Sequence, residues 1–173
     1  MPARAPFMAS RAGGATAAPG RRPAHAGFTL IELMTAVVVL AIVAFAAAPS
    51  FSSMLAQQRV RGAALDLSSS LLLARSEAVK RNATVSVAAT GTAWTGGWTV
   101  AAGAETVRSF GAYQGLSIVA SGGNTLSVGN DGRLTGGALT FQVAPSTGAS
   151  NASTVCVQIS ATGRVASSTG ACT

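Results

Sequence analysis

Gly27-Phe28-Thr29-Leu30-Ile31-Glu32-Leu33-Met34 opens the segment that decides how this chain is organised. Glu32 stands at the head of an otherwise uncharged stretch, because Leu33 to Ala56 contains no Asp, Glu, Lys or Arg. Taken as a helix at about 1.5 Å per residue, Phe28 to Phe51 reaches about 36 Å. That crosses a hydrocarbon core of about 30 Å with some tilt. A charge in or beside hydrocarbon is expensive, so the carboxylate marks a functional site. A plain membrane anchor would account for the hydrophobicity of this segment but for neither Glu32 nor Gly27.

Charge divides at the same place. The full sequence carries a net +7 from 12 basic and 5 acidic side chains. Such a balance first suggests nucleic acid or an anionic surface. Four of the basic residues, Arg4, Arg11, Arg21 and Arg22, precede Gly27 and no acid does, so the part after Gly27 carries only +3. A basic segment ahead of a spanning helix stays in the cytoplasm, which places the C-terminal part in the periplasm. Residues 1–27, rich in Ala, Pro, Gly and Arg, read as a targeting segment. Met8 is an alternative start. Arg21-Arg22 is followed by Pro23-Ala24-His25, a poor match to a twin-arginine signal.

Composition excludes several chemistries. The only histidine, His25, lies in the leader, so the remainder has no His-based triad or metal site. No two acids lie close together in sequence, which leaves paired-carboxylate chemistry without an obvious seat. Cys156 and Cys172 are the only cysteines. In an oxidising compartment they are candidates for one disulfide, worth about 3 kcal/mol in the chain-entropy model. Two separate buried thiols are the alternative.

Pro49 interrupts the apolar run near its end, where it either bends the helix or marks the membrane exit. Ser50 to Arg81 continues as an amphipathic helix. Ala64, Leu67, Leu71, Ala74 and Ala78 recur at spacings of 3 and 4, and Leu65, Leu72 and Val79 widen the stripe. Lys80-Arg81 followed by Asn82 suits a helix C-terminus. Beyond Ala83 short β-branched runs alternate with Gly-rich turns. Strands are expected at Thr84–Ala89, Trp98–Ala101, Thr106–Phe110, Leu116–Ala120, Leu126–Val128, Leu139–Val143 and Thr154–Ile159. Pro145 to Ser153 reads as a mobile loop. The pattern argues for an antiparallel sheet wrapped around the amphipathic half of the helix.

Residues 27–34 and the apolar helix after them resemble the processing and assembly signal of type IV pilins and type II secretion pseudopilins. The resemblance implies cleavage between Gly27 and Phe28 by a prepilin peptidase and methylation of the Phe28 amine. It also implies a role for Glu32 in assembly, paired with the charged amine of a neighbouring Phe28; a headgroup-level carboxylate without a partner is the alternative. The fold it implies is α+β and pilin-like: leader 1–27, membrane and assembly helix 28–51, amphipathic continuation 52–82 and a periplasmic β-rich domain 83–173. The implied partners are the peptidase, other pilin or pseudopilin subunits and an inner-membrane assembly platform. The chain would be single-pass in the inner membrane before it enters a filament. No catalytic residue, cofactor or metal is implied.

A second resemblance narrows the family. Leu73-Ala74-Arg75-Ser76-Glu77-Ala78-Val79-Lys80-Arg81-Asn82, then Trp94 and Gly97-Trp98-Thr99-Val100, then Gly132-Arg133-Leu134 and Gly163-Arg164-Val165, are similar to the GspH/FimT group of minor pilins and pseudopilins. Members of that group serve secretion pseudopili or type IV pili, and some bind DNA through a C-terminal Gly-Arg-x-Arg turn. Here Ala166 stands where the second arginine would be. Non-specific DNA binding needs phosphate neutralisation by Lys and Arg. After Asn82 only Arg108, Arg133 and Arg164 are basic, and Glu105 and Asp131 oppose them. Arg164 and Arg133 are therefore the DNA-contact candidates, with solvated turn residues the favoured reading. Trp94 and Trp98 could stack on bases, but core packing is their commoner use.

Overall fold

The computed structural model describes residues 27–146 and 154–173. The leader apart from Gly27, and residues 147–153 of the loop expected from Pro145 to Ser153, lie outside the described residues. The chain falls into two compact units, Met1–Ile42 and Val43–Thr173.

Helix α1 runs Leu30–Arg81, 52 residues, and its helical backbone continues through Pro49. In the first unit every described residue is exposed. Leu30–Ala47 has a mean hydropathy of 2.6 and is long and apolar enough to cross a membrane. In the second unit burial begins at Val60 rather than at Ser50. From there Val60, Ala63, Ala64, Leu67, Leu71, Ala74 and Ala78 form the buried stripe. Leu65, Leu72 and Val79 do not widen it: they are 69%, 52% and 55% exposed. Each follows a buried residue by one position, a turn of about 100° around a helix of 3.6 residues per turn. That rotation carries them off the sheet-facing side.

The helix ends as its sequence requires. Asn82 takes a left-handed φ of 49°, and the Ala83 N–H donates to the Ala78 carbonyl at 3.1 Å. This closes the last carbonyls in the manner of a left-handed C-cap. Asn130 Nδ2 donates to the Asn82 side-chain oxygen at 3.0 Å, which ties the cap to the sheet region.

Nine strands follow: β1 Val85–Ala89, β2 Trp98–Ala102, β3 Glu105–Phe110, β4 Leu116–Ala120, β5 Thr125–Val128, β6 Leu134–Thr135, β7 Leu139–Pro145, β8 Val155–Ile159 and β9 Val165–Thr169. They form two antiparallel sheets, ordered β3-β2-β1-β5-β6 and β4-β7-β8-β9. All seven expected strands are present, divided between two sheets rather than gathered in one. Pro145, expected in a loop, is the last residue of β7 and pairs with Leu116. At that point β8 has already ended its pairing at Val143, so the proline has no ladder bond to lose on that side. Both sheets turn alternate residues toward the buried stripe of α1. Val85, Val87, Trp98, Val100, Leu126 and Val128 come from the first, and Phe141, Val143, Val157 and Ile159 from the second.

Candidate functional site

The N-terminal segment is a helix start with its chemistry turned outward. Gly27 to Thr29 precede α1. Thr29 caps it: its Oγ1 accepts the Glu32 N–H at 3.2 Å, and its carbonyl accepts the Leu33 N–H at 3.1 Å. The spacing Thr29-x-x-Glu32 is that of a capping box, a helix-start signal present in the sequence itself. An acid in the first turn also suits the positive end of the helix dipole. Among the described residues no hydrogen bond or ion pair holds the Glu32 carboxylate. Phe28 is 82% exposed. A Cβ built on Gly27 would meet nothing within 4 Å. Among the described residues no packing demands glycine there.

The second group of motif residues is structural. Trp94 begins a 3-10 turn, Trp94–Gly96. Gly97 follows with φ +95°, and a Cβ there would collide with the Phe110 carbonyl. Only glycine lets the chain pass that close. The turn delivers both tryptophans to the core, 2% and 0% exposed. Trp94 Nε1 donates to the Gly123 carbonyl at 3.3 Å. Trp98 lies between Phe110 and Tyr113, with ring centroids at 5.2 and 5.1 Å. Neither ring is available to a base. Tyr113 donates to Asp66 Oδ2 on α1 at 2.9 Å, and burial, then this hydrogen bond, push its hydroxyl well above the usual phenol range.

The two glycine–arginine turns meet. Gly132 and Gly163 have φ of +73° and +74°, and a Cβ on Gly163 would collide with the Gly132 carbonyl oxygen. Arg75 of α1 lies against both and donates from Nη1 to the Gly163 carbonyl at 3.4 Å. Arg133 and Arg164 are thus brought onto touching turns, both exposed. Arg108 is not brought to them: it lies on β3, over the Phe110 ring at 4.9 Å. The three arginines do not form one patch, and Ala166 on β9 is exposed without a charge.

Cys156 on β8 and Cys172 beyond β9 are joined as a disulfide, with Cα atoms 5.1 Å apart. The bond fastens the C-terminus beside the strand that follows the second turn. At the opposite end of the unit, Arg81 links α1 to β3. Its Nε lies 2.6 Å from Glu77 and its Nη1 2.6 Å from Glu105. Arg81 holds both carboxyls below the usual carboxylate range.

Comparison with known proteins agrees with this division. Residues 22–48 match the family described as Prokaryotic N-terminal methylation motif. Residues 63–163 match the family described as Type II transport protein GspH. No curated protein matches the chain. Among solved structures the fold is similar to the type IV minor pilin FimU of Pseudomonas aeruginosa in two crystal forms. One has a TM-score of 0.55 at 24% identity, covering 63% of this chain and 87% of that one. The other has a TM-score of 0.54 at 24% identity, covering 62% and 91%. The minor pseudopilin EpsH of the Vibrio cholerae type 2 secretion system gives 0.52 at 17% identity, covering 64% and 97%. The first motif is that of chains processed by prepilin peptidase and assembled with other pilin-like subunits. Matched by one model over more than half its length, the chain belongs to the Type II transport protein GspH family of pilin-like structural subunits.

Proposed function

We propose that this chain is a minor subunit of a type IV-like filament, a secretion pseudopilus or a pilus, made as a precursor and cut after Gly27. In this reading Phe28 becomes the methylated N-terminus. Leu30–Ala47 holds the subunit in the inner membrane with the sheet domain in the periplasm, and an assembly platform later moves it into the filament. The observation that carries the reading is a glycine whose added Cβ would meet nothing, five positions before a carboxylate that no described residue holds. Glu32 then meets the amine of a neighbouring Phe28. Opposite charges attract strongly away from water, and a Glu32 left unpaired is penalised, so one register is favoured.

Glu32→Ala tests the pairing. Membrane insertion should persist while filament incorporation falls. Normal incorporation of the variant would remove Glu32 from assembly. DNA binding gains no support: the candidates Arg133 and Arg164 share one pair of touching turns, but Arg108 lies apart over Phe110, Ala166 supplies no second charge, and the stacking rings are buried.

A further inference from the structure

The two sheets have four edges, and three are blunted. β3 carries Glu105 and Arg108, and its pairing with β2 is bulged at Val100/Ala101. β6 is two residues long. β4 is covered, because its Ile118 N–H donates to Thr95 Oγ1 of the 3-10 turn at 3.2 Å. Charge, bulges, shortness and cover are the devices by which sheets refuse further strands. Among the described residues β9 shows none of them: its five residues carry neither charge nor proline, and it pairs with β8 alone. Its hydrogen-bond phase is fixed at both ends. The Ser160 N–H donates to the Arg164 carbonyl, and the Gly170 N–H to the Thr154 carbonyl. Antiparallel pairs alternate, so Ala166 and Ser168 bond to β8 while Val165, Ser167 and Thr169 present their backbone groups to the open side.

Beside that edge runs the uncovered face of α1. Arg61 and Leu65 face Ser167, Ser168 and Thr169 across a groove of about 320 Å³. Leu72 and Val79 continue the exposed apolar row toward Arg75, which bonds the residue before Arg164. Cations therefore flank the groove, Arg61 by the end of β9 and Arg164 at its start. The acids of this unit are engaged elsewhere. Asp66 accepts from Tyr113, Glu77 and Glu105 hold Arg81, and Asp131 accepts the Arg133 N–H within its own turn.

We propose that β9 and the Leu65–Leu72 face of α1 receive an extended segment of a different subunit, added as a fifth strand to the second sheet. The segment carries apolar side chains at alternate positions, turned onto Leu65 and Leu72, and an acidic side chain near each end. Main-chain bonds supply affinity and the alternate side chains supply specificity, as in other strand additions. A second copy of this chain fits worse. Antiparallel pairing of two β9 strands would bring Arg164 of one beside Arg61 of the other, and like charges across a pair are destabilising. The filament reading enters only as the source of the segment.

The test uses the full chain in detergent micelles and two short synthetic peptides that alternate valine and threonine, one with an aspartate at each end and one with a lysine. The aspartate-ended peptide should bind and slow amide exchange at Val165, Ser167 and Thr169. The lysine-ended peptide should bind roughly tenfold more weakly or less. Ser167→Pro removes an N–H on the open side and should abolish binding while exchange protection on β8 persists. Arg61→Glu should weaken the preference for aspartate. Equal binding of both peptides, or protection on β3 instead, overturns the proposal. So does protection of these amides that grows with chain concentration alone, or that appears equally with duplex DNA. Failure here leaves the Glu32 and cleavage tests untouched, since binding is read on the isolated chain.

Discussion

Arg75 donates from Nη1 to the carbonyl oxygen of Gly163, 88 positions later in sequence and 3.4 Å away. One residue of the helix thus locks the turn that precedes β9. A Cβ on Gly132 would lie 3.2 Å from Arg75 Nε and 3.1 Å from Val79 Cγ2, so the first turn is seated on the same side chain. The motif arginines Arg133 and Arg164 are carried by this junction, whose glycines and Arg75 have a packing reason.

Gly163→Ala should therefore destabilise the sheet domain by about 2 kcal/mol or more, from a left-handed backbone and a collision together. Gly103 provides the comparison: it has φ +61° but open space around a Cβ, and Gly103→Ala should cost only about 1–2 kcal/mol. Denaturant melts of the two variants measure the difference. Equal costs would mean that the two turns do not press on one another.

The Cys156–Cys172 disulfide should contribute about 3 kcal/mol. Adding reductant, or replacing both cysteines with serine, should lower the melting temperature by comparable amounts. A melting temperature unchanged by reductant would contradict the bond's part in holding β9.

Tyr113 is the single tyrosine of the chain, so its ionisation can be followed by ultraviolet absorbance. Burial and the hydrogen bond to Asp66 raise its pKa, above an unfolded value of about 10. Its contribution to stability is present below that value and is lost as pH rises through the raised one. The absorbance change should come later than for free tyrosine, and Asp66→Ala should bring it earlier. Titration at the free value would break the link between α1 and the Tyr113 loop.

The Glu77–Arg81–Glu105 cluster has the opposite sign. Arg81 depresses both carboxyls, so their contribution is present above the unfolded carboxylate value of about 4.3. It is lost as pH falls through the depressed values. Arg81 and Glu105 are exposed while Glu77 is half-buried, so salt should weaken the effect, most of all at Glu105. Arg81→Ala should flatten the acid limb of a stability–pH profile, and an unchanged limb would show that the cluster adds nothing.

Much of this was legible in the sequence, for physical reasons that differ along the chain. Ala64 to Ala78 declared the buried face, because a helix against a sheet must repeat every three to four residues. Leu65, Leu72 and Val79 misled, because composition registers an apolar residue but not the rotation that exposes it. β6 and β9 were missed. Leu134–Thr135 is too short to show a period, and Val165–Thr169 is rich in serine. Register with β8, reinforced by the Cys156–Cys172 bond beside it, makes β9 a strand, and propensity does not. At the N-terminus the case reverses. Gly27 and Glu32 were legible as a signal from their motif alone, and among the described residues no contact accounts for the glycine or holds the carboxylate.

The most direct test is the mass and N-terminal sequence of the chain recovered from the membranes of cells that make it together with its prepilin peptidase. The recovered chain should begin at Phe28 with a methylated amine, and Gly27→Arg should block its formation. A wild-type chain that keeps residues 1–27, or a Gly27→Arg chain that still begins at Phe28, would contradict this processing.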